Sequence, residues 1–236
     1  MQLLRTLGLF ACILPAVYGL AAPPAKPTNV YFQVTFNSLR KISSVDSTFI
    51  NDFYINLAWR DDRLFTAIGG QFDPMSMFEP APEFINAEAD YGVVLDYNII
   101  DAADIPEWVG VTKSKVNETW VVGVGRKQGA FVAELELKYF PFDRQNASII
   151  MESSKYEAAD LQFIPLNIIK GINAAGTIGG WDALSADSSI SNYTYPAMKQ
   201  SFSRAVFTKM LARQYRYYLS RIVTNVVMIV VMSACK

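Results

Sequence analysis

The 236-residue chain contains no histidine and only two cysteines, Cys12 and Cys235, close to opposite ends. The missing histidine excludes His-based catalytic triads and the common imidazole metal sites. The region between the two cysteines has neither a disulfide nor a thiolate metal site. Net charge is −1 and only 18% of residues are charged, so there is no electrostatic footprint for nucleic acid. Internal repeats, low-complexity runs and a glycine-rich phosphate loop are missing too. Carboxylate neighbours such as Asp61 with Asp62 and Asp101 with Asp104 read as solvated turns. No nucleophile has a base partner and no cofactor is implied, so the chain does not read as an enzyme.

What is present is apolar and β-like. Half the residues are hydrophobic, enough for one all-β domain with a full core. Residues 1–21 read as a secretory signal: Arg5 supplies the charge, Leu7–Val17 the apolar stretch, and Gly19, Ala21 and Ala22 the small residues for cleavage. A proline-rich linker, 22–28, follows. Secretion agrees with three acceptor sequons, at Asn117, Asn146 and Asn192.

Alternation then marks strands. Val30, Phe32, Val34 and Phe36 share one face, a polar turn falls at Ser43–Asp46, and Phe53, Ile55 and Leu57 alternate with Tyr54 and Asn56. The second strand ends in Trp59-Arg60-Asp61-Asp62-Arg63-Leu64, a core Trp beside two charges able to pair. A turn at Gly69–Phe72 and the group Phe78, Pro80 and Asn86 follow. Strands are expected at Tyr91–Ile99 and Thr119–Gly125, then a hairpin turn at Arg126–Gly129 into a run ending at Leu137. Short strands at Ser148–Met151 and Leu161–Ile164 precede a glycine-rich stretch, 173–180. Trp181–Leu184 and Phe202–Ala212 read as the last two strands, joined by a polar loop over 185–199. Turn signals at these intervals predict a sandwich or barrel, not a parallel α/β sheet.

The organising stretch is Tyr139-Phe140-Pro141-Phe142-Asp143-Arg144-Gln145. Pro141 fixes its φ and lacks a backbone donor, so it marks a bend, with two rings and a carboxylate around it. Near the other end, Arg213 and Tyr217-Tyr218-Leu219 lead into the apolar run Ile222–Cys235. Counted from Tyr215, that run reaches the ~20 residues of a membrane span, with tyrosines at the interface.

These motifs, from about Val30 to the last residue, resemble the pentameric ligand-gated ion channels, the Cys-loop receptor superfamily. Phe140, Pro141, Phe142, Asp143 and Gln145 match its signature loop. In animal members two cysteines with thirteen residues between them bridge that loop. Here Ala133 and Ala147 keep the spacing without the disulfide. Trp59, Asp61, Arg63 and Leu64 match a second family motif. Phe78 replaces its usual Trp in a third. Arg213, Tyr217, Tyr218, Leu219 and Ser233 keep register with the first membrane helix, where Asn225 replaces a Pro.

The resemblance implies an extracellular immunoglobulin-like β-sandwich of about ten strands over 29–214, followed by one transmembrane helix over 215–235. It implies a homo- or hetero-pentamer in the plasma membrane, with a small-molecule agonist bound between subunits and the lipid bilayer as a further partner. The agonist box would draw on Tyr54, Tyr156, Tyr193 and Tyr195. Two of its places hold other residues, Ile85 and Ser154, where animal acetylcholine receptors have Tyr and Trp. Coupling to the pore would run through Asp46, Phe140, Pro141, Phe142, Asp143 and Arg213, and the two phenylalanines are expected to pack under the sandwich. The helices that follow the first, including the pore-lining one, are not expected within this chain. The alternative is a secreted or membrane-tethered binding or adhesion sandwich without channel activity, with a carbohydrate-active sandwich enzyme third.

Overall fold

The first two strands set the core. In β1 (Thr28–Ser43) Val30, Phe32, Val34 and Phe36 are almost wholly buried, and in β2 (Thr48–Arg60) so are Phe53, Ile55, Leu57 and Trp59. The two pair antiparallel, with Val34 opposite Ile55. Both apolar rows therefore lie on one face of the sheet, as a period of two requires. The structure, a computed structural model, describes residues 20–88, 94–110, 118–166 and 179–234. The leader before residue 20, the Asn117 sequon, Tyr91–Val93, most of the glycine-rich stretch and Cys235 lie outside these residues.

Seven further strands complete the described fold: β3 (Pro82–Phe84), β4 (Asp96–Asp101), β5 (Thr119–Val132), β6 (Arg144–Ser153), β7 (Leu161–Pro165), β8 (Trp181–Tyr195) and β9 (Gln200–Arg213). One sheet has the order β4-β5-β2-β1-β7 and the other β3-β6-β9-β8. All pairs are antiparallel except β1 with β7. The protein is mainly β, and its two sheets meet across a ring-rich core. Phe32 meets Phe207 edge-on at 5.0 Å, and Trp59 meets Phe78 edge-on at 5.8 Å. Each such pair adds about 0.5–1.5 kcal/mol to the area it buries.

Three sequence expectations are corrected. The hairpin at Arg126–Gly129 does not exist; β5 runs straight through it. Its alternation continues across the polar residues, with Lys127 and Phe131 inward and Arg126 and Gln128 outward, and Arg126 is held by Asp52 on β2. The chain leaves the sheet after Val132, so 133–137 is not strand. Two expected strands merge into β5 and the unexpected β3 is added, giving nine strands among the described residues against the ten or so implied by the resemblance. The polar loop at 185–199 is mostly strand as well: β8 and β9 pair as far as Tyr195 opposite Gln200, and only 196–199 turn. Much of this ribbon is exposed on both faces, so its backbone ladder holds it without leaving a hydrophobic period to read.

Beyond β9 the chain turns helical, through α1 (Tyr215–Tyr218), a π turn (Leu219–Val223) and α2 (Thr224–Ala234). Every described side chain from Leu219 onward is exposed. No helix among the described residues is long and apolar enough to cross a membrane.

Lys209 is a misfit in the core. It lies on the inward row of β9 between Phe207 and Leu211, is 3% exposed, and its ammonium has no hydrogen bond or ion pair with any described residue. Burial lowers the pKa of its ammonium. Lys209→Met is expected to stabilise the protein by about 1–2 kcal/mol near neutral pH, by relieving an uncompensated buried charge. The folded-state pKa is depressed, so the wild type loses stability as pH falls through that value. The gap between the two proteins should therefore close as pH rises towards 10.5, the ordinary lysine value. Urea unfolding at several pH values measures it; a destabilised methionine variant would refute the assignment.

Candidate functional site

The bend predicted around Pro141 forms at the end of the sandwich from which the helix leaves. Phe140 N–H donates to the Leu137 carbonyl and Phe142 N–H to the Tyr139 carbonyl, closing two successive tight turns. Asp143 follows at the mouth of β6, and its carboxylate is buried. Arg213, the last residue of β9, donates to it through Nε at 2.7 Å and Nη2 at 3.0 Å, a bidentate pair. Gln145 Nε2 donates to the same carboxylate at 2.7 Å and to the Glu136 carbonyl, while Gln145 Oε1 accepts from Glu136 N–H. One amide thus clamps both limbs of the loop, which accounts for Gln two residues after Asp. Burial pushes the Asp143 carboxyl up, but Arg213 and Gln145 more than offset this, and it sits below the usual carboxylate range.

Arg213 is enclosed by rings. Its guanidinium lies 4.1 Å from the Trp181 ring centre and 4.9 Å from that of Phe140, and Nη1 donates to the Tyr218 hydroxyl. Ser44, not Asp46, is the β1–β2 hairpin residue that Arg213 touches, at 3.4 Å. Asp46 accepts from the Ser43 hydroxyl within the hairpin. Phe140 and Phe142 are half exposed and face the helix, not the core: Phe140 meets Tyr218 at 5.0 Å and Phe142 meets Tyr215 at 5.1 Å. The helix start supplies the apolar partners they were expected to find under the sandwich.

The four tyrosines fall into separate places. Tyr54 is on the outer face of β2, 39% exposed, with the Arg126 guanidinium 5.5 Å from its ring centre. Tyr193 and Tyr195 lie edge-to-face at 4.9 Å on β8, in the other sheet. Arg204 lies over Tyr193 at 3.7 Å and pairs with Glu152, to which the Tyr195 hydroxyl donates at 2.9 Å. Tyr156 joins neither group; it packs on Phe78 at 5.0 Å and donates to the Ala21 carbonyl. Sequence reasoning missed Arg126, Glu152 and Arg204. Their only signal was charge inside strands on either side of aromatic positions.

The second motif is structural in its geometry. Trp59 is fully buried, and Asp61 takes two short bonds from Arg63 while accepting from Arg63 N–H at the head of a 3₁₀ turn. Arg63 also donates to the Ala22 carbonyl, tying down the linker. Asn146 and Asn192 are exposed on β6 and β8.

Fold and loop together define a two-sheet β-sandwich whose sheet ends and helix start are locked by one buried Asp–Arg pair. Curated proteins are distantly similar to this sequence. Over 230 residues, 90% of the chain, it is 25% identical to acetylcholine receptor subunit epsilon of Xenopus laevis, over 44% of that protein. The human epsilon subunit is 26% identical over 149 residues, covering 59% of this chain and 27% of the relative. The bovine one is 23% identical over 149 residues. The chain thus spans less than half the length of these curated relatives. No family model matches it. The resemblance to pentameric ligand-gated channel subunits, read above from motifs, is borne out by these relatives.

Proposed function

We propose that this chain is the extracellular ligand-binding domain, 29–214, and the first membrane helix, 215–235, of a pentameric ligand-gated ion channel subunit in the plasma membrane, with residues 1–21 a cleaved signal. The observation that carries the reading is the Asp143–Arg213 pair. It joins the signature loop to the residue from which the helix departs, with Phe140 and Phe142 bearing on Tyr218 and Tyr215. A ligand that shifts β9 would move Arg213, and with it both loop and helix. Such a buried pair is a two-state element that strain can re-partner. α1, the π turn and α2 follow one another over 20 residues, together ~30 Å long, the thickness of a hydrocarbon core.

The agonist site lies between subunits on this reading. Tyr54 belongs to one sheet and Tyr193 and Tyr195 to the other, so a neighbouring copy is the means of setting them face to face. The rings of Tyr54 and Tyr193 already carry the protein's own guanidinium groups, each paired to a carboxylate. A small amine must compete for ring faces worth ~0.5–2 kcal/mol each, so its affinity is modest, and a polar ligand is equally served. The test is the assembly state of the purified chain by mass photometry, then thermal shift across primary, quaternary and acidic small molecules. Pentamers and a hit weakened at least fivefold by Tyr54→Ala are expected. A hit indifferent to Tyr54→Ala moves the site elsewhere, and a chain that is monomeric at every concentration refutes the reading.

A further inference from the structure

The first described residues are fastened to the sandwich. Leu20 is partly buried and packs against the main apolar cluster. Arg63 Nη2, besides holding Asp61, donates to the Leu20 carbonyl at 3.3 Å and to the Ala22 carbonyl at 2.9 Å. The Tyr156 hydroxyl donates to the Ala21 carbonyl at 3.0 Å. Further on, Lys26 pairs with Asp160 at 2.8 Å, Thr28 N–H donates to the Asp160 carbonyl, and Thr28 opens β1 opposite Leu161. Residues 20–28 thus form a strap between the 3₁₀ turn after β2 and the segment that joins β6 to β7. All three carbonyls at the head of the strap are taken by side chains of the sandwich.

We infer that a signal peptidase cuts the chain between Gly19 and Leu20, and that residues 20–22 then latch the mature N-terminus to Arg63 and Tyr156. The inference rests on the secretory reading given above and shortens its leader from 1–21 to 1–19. Water hydrolyses the Gly19–Leu20 amide, leaving a carboxylate on the released leader and an α-ammonium on Leu20. Such a peptidase needs a small side chain just before the cut, and Gly19, Ala21 and Ala22 each supply one. The contacts choose between them. A cut after Ala21 removes Leu20 from the apolar cluster and takes away the acceptor of the Tyr156 hydroxyl. A cut after Ala22 removes both carbonyls from Arg63 as well. Tyr156 is partly buried against Phe78, where an unpaired hydroxyl is costly. The cut after Gly19 keeps every one of these contacts. The latch also holds Tyr156 by its hydroxyl, which withholds that ring from an agonist box built on Tyr193 and Tyr195.

The experiment expresses the full chain with its own leader in a eukaryotic secretory host. The purified protein is read by N-terminal sequencing and, after enzymatic deglycosylation, by intact mass. Leu20 is expected as the first residue. A chain that begins at Ala22 or later overturns the inference and leaves the secretory reading standing. A chain that still begins at Met1 removes that reading and the cut with it. The latch is tested separately on two chains made with a foreign leader and trimmed by a site-specific protease to begin at Leu20 or at Ala22. The chain that begins at Ala22 loses a buried leucine contact and a hydrogen bond, so its thermal midpoint should be about 3–6 °C lower. Tyr156→Phe should lower the midpoint of the chain that begins at Leu20 and leave the other unchanged, because the acceptor of the hydroxyl is already gone there. Equal midpoints for the two chains, or an equal effect of Tyr156→Phe in both, would show that residues 20–22 fasten nothing and would remove the ground for placing the cut after Gly19.

Discussion

Arg213→Ala is expected to destabilise the protein by about 3–5 kcal/mol, because it leaves Asp143 buried without its cation. Asp143 keeps only the Gln145 amide, and the rings of Trp181, Phe140 and Tyr218 lose the guanidinium between them. Replacing both partners, Asp143→Leu with Arg213→Met, should cost far less than either truncation, since no lone charge remains. The pH dependence changes sign. In the wild type the Asp143 pKa is lowered, so its contribution is complete above the ordinary aspartate value of 3.8 and is lost as pH falls through the folded-state value. In Arg213→Ala burial dominates and raises that pKa, so acidification from pH 7 towards 5 should stabilise the variant while leaving the wild type unchanged. Urea unfolding at these two pH values reads both effects. A loss under 1 kcal/mol with no reversal would show that the pair is ornamental. In an assembled channel, where the proposed function applies, the same variant at normal surface expression should impair opening much more than agonist affinity. Wild-type currents would remove Arg213 from the coupling path.

The strands that sequence revealed were those with one buried face. Phe53, Ile55, Leu57 and Trp59 announce β2, and the structure buries all four. Trp59 with Asp61 and Arg63, and the turn at Pro141, were equally legible, because proline chemistry and i, i+2 charge pairing are local. β5 was misread for a physical reason. Arg126, Lys127, Gln128 and Gly129 have turn composition, yet an ion pair to Asp52 and the packing of Lys127 over the Phe84 ring make them strand. Both strands of the β8–β9 ribbon were expected, but its extension over 185–195 was missed because cross-strand hydrogen bonds leave no mark on composition. At the candidate site, Asp143 and Arg213 were recognised by motif, but their enclosure by Trp181 and the switch from Asp46 to Ser44 depend on where three chain segments meet. The cations over Tyr54 and Tyr193 were illegible for the same reason: Arg126 and Arg204 are 72 and 11 residues away from those rings in sequence.

The signature loop lacks the covalent bridge of its animal counterparts, and restoring it should produce a second large effect. Ala133 and Ala147 bracket the loop, are 8% and 4% exposed, and belong to the same apolar cluster. Ala133 N–H, one residue past β5, donates to the Ser47 carbonyl, and Ala147 sits within β6 opposite Lys209, so backbone pairing holds both ends while 134–143 between them lie outside the sheets. Closing a loop of this size removes unfolded-state freedom worth about 3 kcal/mol in the chain-entropy model. For a protein of this length that corresponds to a midpoint about 6–12 °C higher. The variant Ala133→Cys with Ala147→Cys, oxidised and compared with its own reduced form, isolates this gain from any cost of the substitutions. Peptide mapping under non-reducing conditions distinguishes the new bridge from mispairing with Cys235. The gain should persist in Arg213→Ala, since the bridge restricts the unfolded chain while the ion pair acts in the folded one. Free thiols at positions 133 and 147 in the folded, oxidised protein would mean that the two ends do not meet. The thirteen-residue spacing would then be coincidence, and the loop would owe its shape to Gln145, Asp143 and Arg213 alone.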